Sequence, residues 1–407
     1  MGRRGRGGAV SSVSDPVHTV GPGRDSALRV TASDESGVLL VVGRFASHGG
    51  VQNRVSDLAG SLARRRPVTI LTWVQRSRPR SEIRPHGVRV VSVPSLLAWD
   101  RDHHSVAAAI NTAVSVLTGV AAAVLLRGRW SVAFGMGLHP EGTVAALAAR
   151  GQRRFVVTTW LVGPLGNAAR LHRSVSRRVV LSLLKGAHWI IPETLDAAQE
   201  LIDLGLSRER LTIVDAGIDL SRFRPRRQAD HRGDPDGHGR KLAVYAGRFD
   251  LRQKRLDLLL DAWQAAALVG WELVLAGAGE DEIVVHRKTQ ALDGVHVLGW
   301  QADVASLLAS ADLFVLPTVT EGSPLALLEG MACGLPGVAS AIPGLAARRP
   351  AGVLLAENNV GAWVNALRKI DALGPVGRRA AGDRARAWVA GNADATRSYA
   401  RWAELLS

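Results

Sequence analysis

From about residue 37 to the end of the chain, short apolar runs alternate with longer segments whose apolar positions recur every three or four residues. Short runs bounded by turn residues read as strands buried on both faces, and the segments between them as helices. In the first part the strands fall at 37–43, 67–72, 88–93, 130–134, 154–159, 188–192 and 211–214, with helices near 50–65, 105–126, 140–150, 172–185 and 194–204. A polar stretch, RPRRQADHRGDPDGHGR at 224–240, then interrupts the pattern and reads as a linker, because it cannot bury a core. The alternation restarts with strands at 241–246, 271–276, 295–298, 312–316, 336–340 and 352–355. Helices follow at 254–267, 280–290, 302–310, 324–333 and 359–371, and a helical tail at 378–405 carries Trp388, Val389, Trp402 and Leu405 as packing residues.

Strands alternating with helices predict parallel sheets built from βαβ units, an α/β chain. At 407 residues the chain exceeds one ordinary core. The expected organisation is a disordered Gly/Ser/Arg-rich leader (1–36), a first Rossmann-like domain (37–223), the linker (224–240), a second Rossmann-like domain (241–377) and the tail (378–407). The leader has no apolar core of the kind a secretory signal needs. A single cysteine, Cys333, excludes an internal disulfide and fits a reducing, cytoplasmic setting.

Charge changes the picture. Residues 1–230 hold 32 Lys+Arg against 17 Asp+Glu, and residues 231–407 hold 19 of each, so the whole net charge of +15 sits in the first half. That half could attract an anionic membrane surface or glycan carrier. A general Arg bias is the blander account, since only five of the 51 basic residues are lysines. No helix-turn-helix, zinc or RNA-binding motif supports nucleic acid as a partner. Residues 105–126 carry no charge and are long enough to span a bilayer, but they are Ala-rich, include Asn111, Thr112, Ser115 and Thr118, and fall where a crossover helix is needed. A buried helix is the expectation.

Candidate chemistry gathers at predicted strand ends. In TEGSPLALLEGMACGLPGVAS (320–340), Glu321 lies on a loop, Gly322 and Ser323 follow, and Pro324 opens a helix. Glu329 falls in its second turn, and loop amides and a helix N-terminus together suit an anion. A carboxylate placed there can accept two ribose hydroxyls; the plain alternative is a pair of surface acids. In YAGRFDLRQKRLDLLLDAW (245–263), Arg248 and Lys254 flank a strand-to-helix turn, an arrangement suited to a diphosphate. Gly277 and Gly279 give a lone Gly-x-Gly without the full dinucleotide fingerprint. Residues Val297 and Leu298, near Trp300, could meet a base or simply end a buried strand. In the first half Gly49 and Gly50 permit close backbone approach, and His139 follows a strand, although a lone histidine is more often structural. The Asp100/Asp102 and Asp234/Asp236 triplets lie away from strand ends, no Cys/His cluster has zinc spacing, and neither a Gly-x-Ser-x-Gly elbow nor a Walker A motif occurs. No metal and no cofactor are expected.

Taken together, Ala246-Gly247-Arg248-Phe249 with Lys254, Asp215-Ala216-Gly217-Ile218-Asp219 with Phe223 and Pro225, and the block from Glu321 to Pro336 resemble the retaining GT-B glycosyltransferases of group 1 (family 4-like) over nearly the whole chain. The resemblance implies a metal-independent hexosyltransferase with two domains facing a cleft and a C-terminal helix crossing back. The donor would be a UDP-, GDP- or ADP-sugar and the acceptor a glycan, lipid carrier or small metabolite. It implies that Arg248 and Lys254 hold the diphosphate and Glu329 the ribose. The loop from Glu321 through Leu325 would take the sugar, and the backbone at Val297–Gly299 the base. Gly49 and Gly50 would approach the donor, and His139 the reacting carbon. The chain departs from the family pattern at Trp160, where many members have histidine in Thr-x-His, at Thr194, Gly330 and Gly337, and in a spacing from Arg248 to Lys254 one residue longer than usual. Two other readings remain: a sugar-nucleotide epimerase on the same fold, and a non-catalytic membrane-associated binding protein.

Overall fold

A computed structural model describes residues 37–43, 50–74, 87–94, 106–126, 130–149, 154–159, 177–192, 195–214, 216–225 and 240–406. The expected leader, most of the linker, Gly49, both Asp-x-Asp triplets, Trp160 and Thr194 lie outside them. The first domain runs β1 (Gly37–Val42), α1 (Gly50–Ala63), β2 (Val68–Val74), β3 (Val88–Pro94), α2 (Val106–Leu125), β4 (Trp130–Gly135), α3 (Glu141–Ala148), β5 (Arg154–Thr159), α4 (Arg177–Leu184), β6 (Trp189–Pro192) and α5 (Leu195–Asp203). The second runs β7 (Lys241–Ala246), α6 (Leu251–Lys254), α7 (Leu256–Ala266), β8 (Trp271–Ala276), α8 (Glu282–Thr289), β9 (Val295–Gly299), α9 (Val304–Ala309), β10 (Leu313–Leu316), α10 (Leu325–Ala332), β11 (Gly337–Ser340), α11 (Pro343–Arg348), β12 (Val353–Ala356) and α12 (Val360–Ala372). The chain ends in α13 (Gly374–Asn392) and α14 (Ala395–Leu406).

Each domain is one six-stranded sheet, in the orders β3-β2-β1-β4-β5-β6 and β12-β11-β10-β7-β8-β9. Every pairing in the two sheets is parallel. The inner strands are continuous apolar runs because helices cover both faces: all six residues of β1 are buried, whereas the edge strands β3 and β9 have exposed positions. Numbered within its own domain, each sheet has the doubly wound order in which the winding reverses between the first and fourth strands. That reversal falls between β1 and β4 in the first domain and between β7 and β10 in the second.

The tail joins the domains. Ala385, Val389 and Ala393 of α13 and its end pack in the second domain with Phe314 and Leu328. Trp402, Leu405 and Leu406 of α14 pack instead with Leu40, Phe134 and Val156 of the first sheet. Trp402 lies 5.1 Å from Phe134, ring centroid to centroid. The chain thus crosses between domains twice, and the crossings are bonded together: Ile218 N donates to Ala393 O (2.8 Å) and Ala395 N to Ile218 O (3.1 Å). Gly217 stands where a Cβ would strike the Ala395 backbone, so this approach excludes a side chain.

Several expectations need correction. Residues 211–214 form no strand; Leu211 makes only an isolated bridge to Ile190. The helix expected at 254–267 runs from Leu256 to Ala266, and an unforeseen single turn, α6, precedes it, set off by Arg255 at φ 41°. The tail is two helices, beginning at Gly374 rather than 378, and α11 was not foreseen. The uncharged segment is a helix, α2, that is only half buried. Asn111, Ser115 and Ala123 face inward, with Trp73 Nε1 donating to Ser115 O (2.9 Å), whereas Ile110, Leu117 and Leu125 face out. No helix among the described residues is long and apolar enough to cross a membrane.

The α14 anchor makes a direct prediction. Trp402→Ala opens a cavity against β1 and β4 and should lower the unfolding free energy by about 3–5 kcal/mol. Trp300→Ala, at a half-exposed site, should cost under about 1 kcal/mol. Equal urea midpoints for the two variants would show that α14 does not hold the first sheet.

Candidate functional site at the β7–β10 reversal

Strands β7 and β10 are neighbours, with Leu313 beside Ala243 and Phe314 beside Val244. Asp312 locks the start of the pair: its carboxylate accepts from Leu242 N (2.8 Å) and its N–H donates to Leu242 O (2.8 Å). The loops leaving their C-terminal ends go to opposite faces of the sheet and leave a crevice, where ligands of such folds bind. Arg248 lies on the first loop, and Glu321, Gly322, Ser323 and Pro324 on the second.

The two loops are knitted together. Buried Gln253 donates its Nε2 to Thr320 O (3.0 Å) and accepts from Arg248 Nη2 on Oε1 (2.6 Å). Its backbone oxygen takes Val319 N (2.9 Å) and Thr318 Oγ1 (3.2 Å). Thr318 is held from the other side, its N–H donating to Ser340 Oγ (2.9 Å) and its carbonyl accepting from Asn358 Nδ2 (3.0 Å). Gln253 was not singled out from sequence. Its place inside a basic stretch, Arg252-Gln253-Lys254, is a weak signal at best.

Lys254 Nζ is bonded to the Glu321 carboxylate, and both groups are largely out of water, with 15% and 8% of their side-chain surface exposed. The sequence placed these two residues in one site but not in contact. Arg248 is freer: its side chain is 55% exposed, and Asp250 approaches it at 3.4 Å. Tyr245, fully buried beneath, donates its hydroxyl to Arg248 O (2.7 Å). Burial, reinforced by the Glu321 charge, pushes its phenol well above the ordinary range, so it remains a donor. Ser323 Oγ is buried with no hydrogen-bond partner among the described residues, a polar group that an anion or sugar hydroxyl could satisfy.

Glu329 sits in the second turn of α10, half-buried. Burial pushes its carboxyl up to about 7; Arg222 opposes the shift and Asp57 adds to it. Asp57 belongs to α1 and Arg222 to the first crossing, so Glu329 senses groups contributed by the first domain. Gly277 and Gly279 serve the scaffold here. A Cβ on Gly277 would strike Gly247 O and one on Gly279 the Phe249 backbone, and Phe249 N donates to Ala278 O (3.0 Å). This loop contact lets Asp281 cap α6 through Leu251 N (2.8 Å). Val297 is half-buried and Leu298 exposed at the end of β9.

In the first domain Gly50 opens α1 after β1, and His139 follows β4, at the equivalent reversal. His139 Nδ1 lies 2.8 Å from Thr143 Oγ1, and burial lowers its pKa, keeping the imidazole neutral at pH 7. Among the described residues no group of three or more His, Cys, Asp or Glu side chains could hold a metal ion.

Two doubly wound domains joined by paired crossings, with a final helix returning to the first sheet, define the GT-B fold. Solved structures of it superpose over most of the chain. For Anabaena HepE in complex with UDP and glucose, the TM-score is 0.70 at 17% identity, covering 91% of this chain and 98% of that one. For sucrose-phosphate synthase from Thermosynechococcus elongatus it is 0.72 at 20% identity, covering 91% and 98%. Residues 240–371 match the family model described as Glycosyl transferases group 1. Among curated relatives, the putative glycosyltransferase EpsF of Bacillus subtilis is 31% identical over 193 residues, 44% of this chain and 48% of the relative. A GDP-mannose-dependent alpha-(1-6)-phosphatidylinositol dimannoside mannosyltransferase of Mycobacterium tuberculosis is 37% identical over 134 residues, 31% and 34%. The chain therefore spans about half or less of the length of these relatives.

The raised Glu329 carboxyl fixes a sign. A carboxyl with a folded-state pKa above its unfolded value stabilises the fold below about pH 4.5 and loses that contribution as pH rises through 7. Glu329→Gln should remove this decline, leaving a flatter stability curve between pH 5 and pH 8. Parallel curves for the two proteins would mean that Glu329 is solvated.

Proposed function

We propose that the protein is a retaining, metal-independent glycosyltransferase moving a hexose from a nucleoside-diphosphate sugar to a glycan, lipid-carrier or small-metabolite acceptor. The observation that carries this reading is the convergence of Arg248, the Lys254–Glu321 pair and Glu329 at the β7–β10 reversal. The named activities of the matching relatives and the UDP held by HepE support it.

The chemistry follows from charge. Departure of the diphosphate concentrates negative charge on its oxygens while the sugar carbon becomes cationic. Arg248 is exposed enough to swing onto a phosphate, and Lys254 is already oriented, so both meet the developing anion with little reorganisation. Glu321, held beside Lys254, places carboxylate charge near the donor sugar, and Glu329 takes the ribose hydroxyls. The acceptor oxygen attacks the anomeric carbon on the face the diphosphate leaves. The carbon–oxygen bond to phosphate breaks, the new glycosidic bond forms, and the acceptor proton passes to the departing phosphate oxygen. His139, neutral, lines the opposite side from the first domain. The enzyme works in the cytoplasm, with its basic half toward an anionic surface.

Arg248→Ala and Lys254→Ala should each lower turnover by about 10²–10³-fold. Turnover is followed with the UDP-, GDP- or ADP-sugar that most raises the melting temperature. The product's anomeric configuration, read by proton NMR, should match the donor's. Near-normal activity in both variants, an inverted product, or epimerised donor without an acceptor would each overturn the reading. Chelator-treated enzyme should keep its activity.

A further inference from the structure

Gln253 is the buried member of a charged stretch. Arg252 before it is exposed and Lys254 after it pairs with Glu321, whereas only 3% of Gln253 is exposed. A buried amide has an acceptor end and a donor end to satisfy, and both are used. Oε1 accepts from Arg248 Nη2 (2.6 Å), and Nε2 donates to Thr320 O (3.0 Å). Among side chains of this length only the glutamine amide can make both bonds. A glutamate carboxylate has no N–H for Thr320 O, and a lysine or arginine has no acceptor for a guanidinium.

The loop backs up the bond to Thr320 O more firmly than the bond to Arg248. Thr320 O also accepts from Thr318 Oγ1 (3.1 Å). The Gln253 backbone is bonded independently of its side chain, its N–H to Asp250 Oδ1 (3.0 Å) and its carbonyl to Val319 N (2.9 Å). At Arg248 the Tyr245 hydroxyl anchors the carbonyl (2.7 Å), but the guanidinium stands on a half-exposed side chain. Asp250 Oδ2 approaches it only at 3.4 Å, and that carboxylate already caps α6 through Gln253 N. The amide also leaves the charge intact. It takes one guanidinium N–H and neutralises nothing, so the others remain for phosphate oxygens; a carboxylate in its place would form an ion pair and compete with the anion.

We infer that Gln253 is a positioning residue for the donor diphosphate: its neutral amide holds the Arg248 guanidinium in the β7–β10 crevice, oriented but with its charge uncompensated. This rests on the reading of Arg248 as a diphosphate ligand, proposed above, and it names what orients that ligand. Gln253 acts through Arg248 and needs no contact with the nucleotide. A guanidinium placed before the anion arrives loses less side-chain freedom on binding it, which is how an uncharged residue raises the affinity for a charged ligand.

The test is a double-mutant cycle on the full chain, read by calorimetric titration with UDP, GDP and ADP, so it does not depend on observing sugar transfer. Gln253→Met keeps the length of the side chain and removes both bonds. It should weaken binding of the preferred diphosphate about tenfold, with a melting temperature close to the wild type's showing that it is folded. In the Arg248→Ala background the same change should alter affinity by less than about twofold, because there is no guanidinium left to hold. Gln253→Glu should bind more weakly still than Gln253→Met, since its carboxylate takes the guanidinium for itself and repels the phosphates. Gln253→Ala replaces Gln253→Met in the cycle should the latter not fold. Equal losses in the two backgrounds would assign Gln253 to the scaffold and overturn the inference, as would wild-type affinity in Gln253→Glu. A loss on Arg248→Ala without one on Gln253→Met would overturn this inference alone, whereas wild-type affinity in Arg248→Ala would overturn the diphosphate reading of Arg248 as well.

Discussion

The pairing of β7 with β10 is the constraint on which the candidate site depends. Two parallel neighbours whose connections depart to opposite faces must leave a crevice at their C-terminal ends. Asp312, bonded on both sides to Leu242, fixes where that pairing starts and therefore where both loops emerge. This register brings together Arg248 and Glu321, 73 positions apart in sequence, and the bonds of Gln253 then tie their loops. The same reversal recurs at β1 and β4, which explains why Gly50 and His139 occupy equivalent ends in the first domain.

The Lys254–Glu321 pair is a poor candidate for a source of stability. Withdrawing two charges from water costs several kcal/mol per ion, and an apolar pair of similar volume would often be as stable or more so. Its partners show what it supplies. Gln253, the residue before Lys254, ties the Arg248 guanidinium to Thr320 O, immediately before Glu321. One amide therefore ties the Arg248 guanidinium to the backbone that leads into Glu321. The stretch from Arg248 to Lys254 closes in the single turn of α6, which Arg255 ends by entering the left-handed region. Asp250 and Asp281 both cap that turn, offsetting part of the cost of Arg255.

Most of the architecture was legible because strands buried on both faces leave unbroken apolar runs, as in β1 and β10, and even the partly exposed edge strands β3 and β9 keep apolar residues at most positions. What was not legible depended on tertiary context. Residues 211–214 have strand composition, yet at the sheet edge Leu211 finds only one bridge, to Ile190. The break at Arg255 has no sequence mark, since arginine is ordinarily a good helix former. Gly277 resembles a phosphate-loop glycine, but the backbone it must clear belongs to Gly247, a contact that periodicity cannot reveal. The charged site residues were legible as strand-end chemistry; Gln253 was not, because its role consists of two bonds to residues outside its own segment. The half-buried state of α2 was hidden as well, since an uncharged helix reads the same whether it lies inside a protein or faces outward.

The position of Glu329 links the site to the relation between the domains. Its carboxyl is raised by burial, lowered by Arg222 and raised by Asp57, and these two partners lie on the first crossing and on α1. Asp57 is itself raised by burial while Arg222 lowers it, and it is hydrogen-bonded to Tyr399 on the returning helix α14. Arg222 therefore faces two carboxyls from different domains, beside a junction pinned by Ile218, Ala393 and Ala395. A shift of the first domain against the second would alter the distance from Asp57 and Arg222 to Glu329, and with it the charge Glu329 carries near neutral pH. Under the ribose-binding role proposed for Glu329, its ionised form would be the better acceptor of two hydroxyls, and moving Arg222 nearer or Asp57 away would favour that form. The returning helix thus does more than close the first sheet: by holding Tyr399 against Asp57, it sets the electrostatic surroundings of an acid on the other domain.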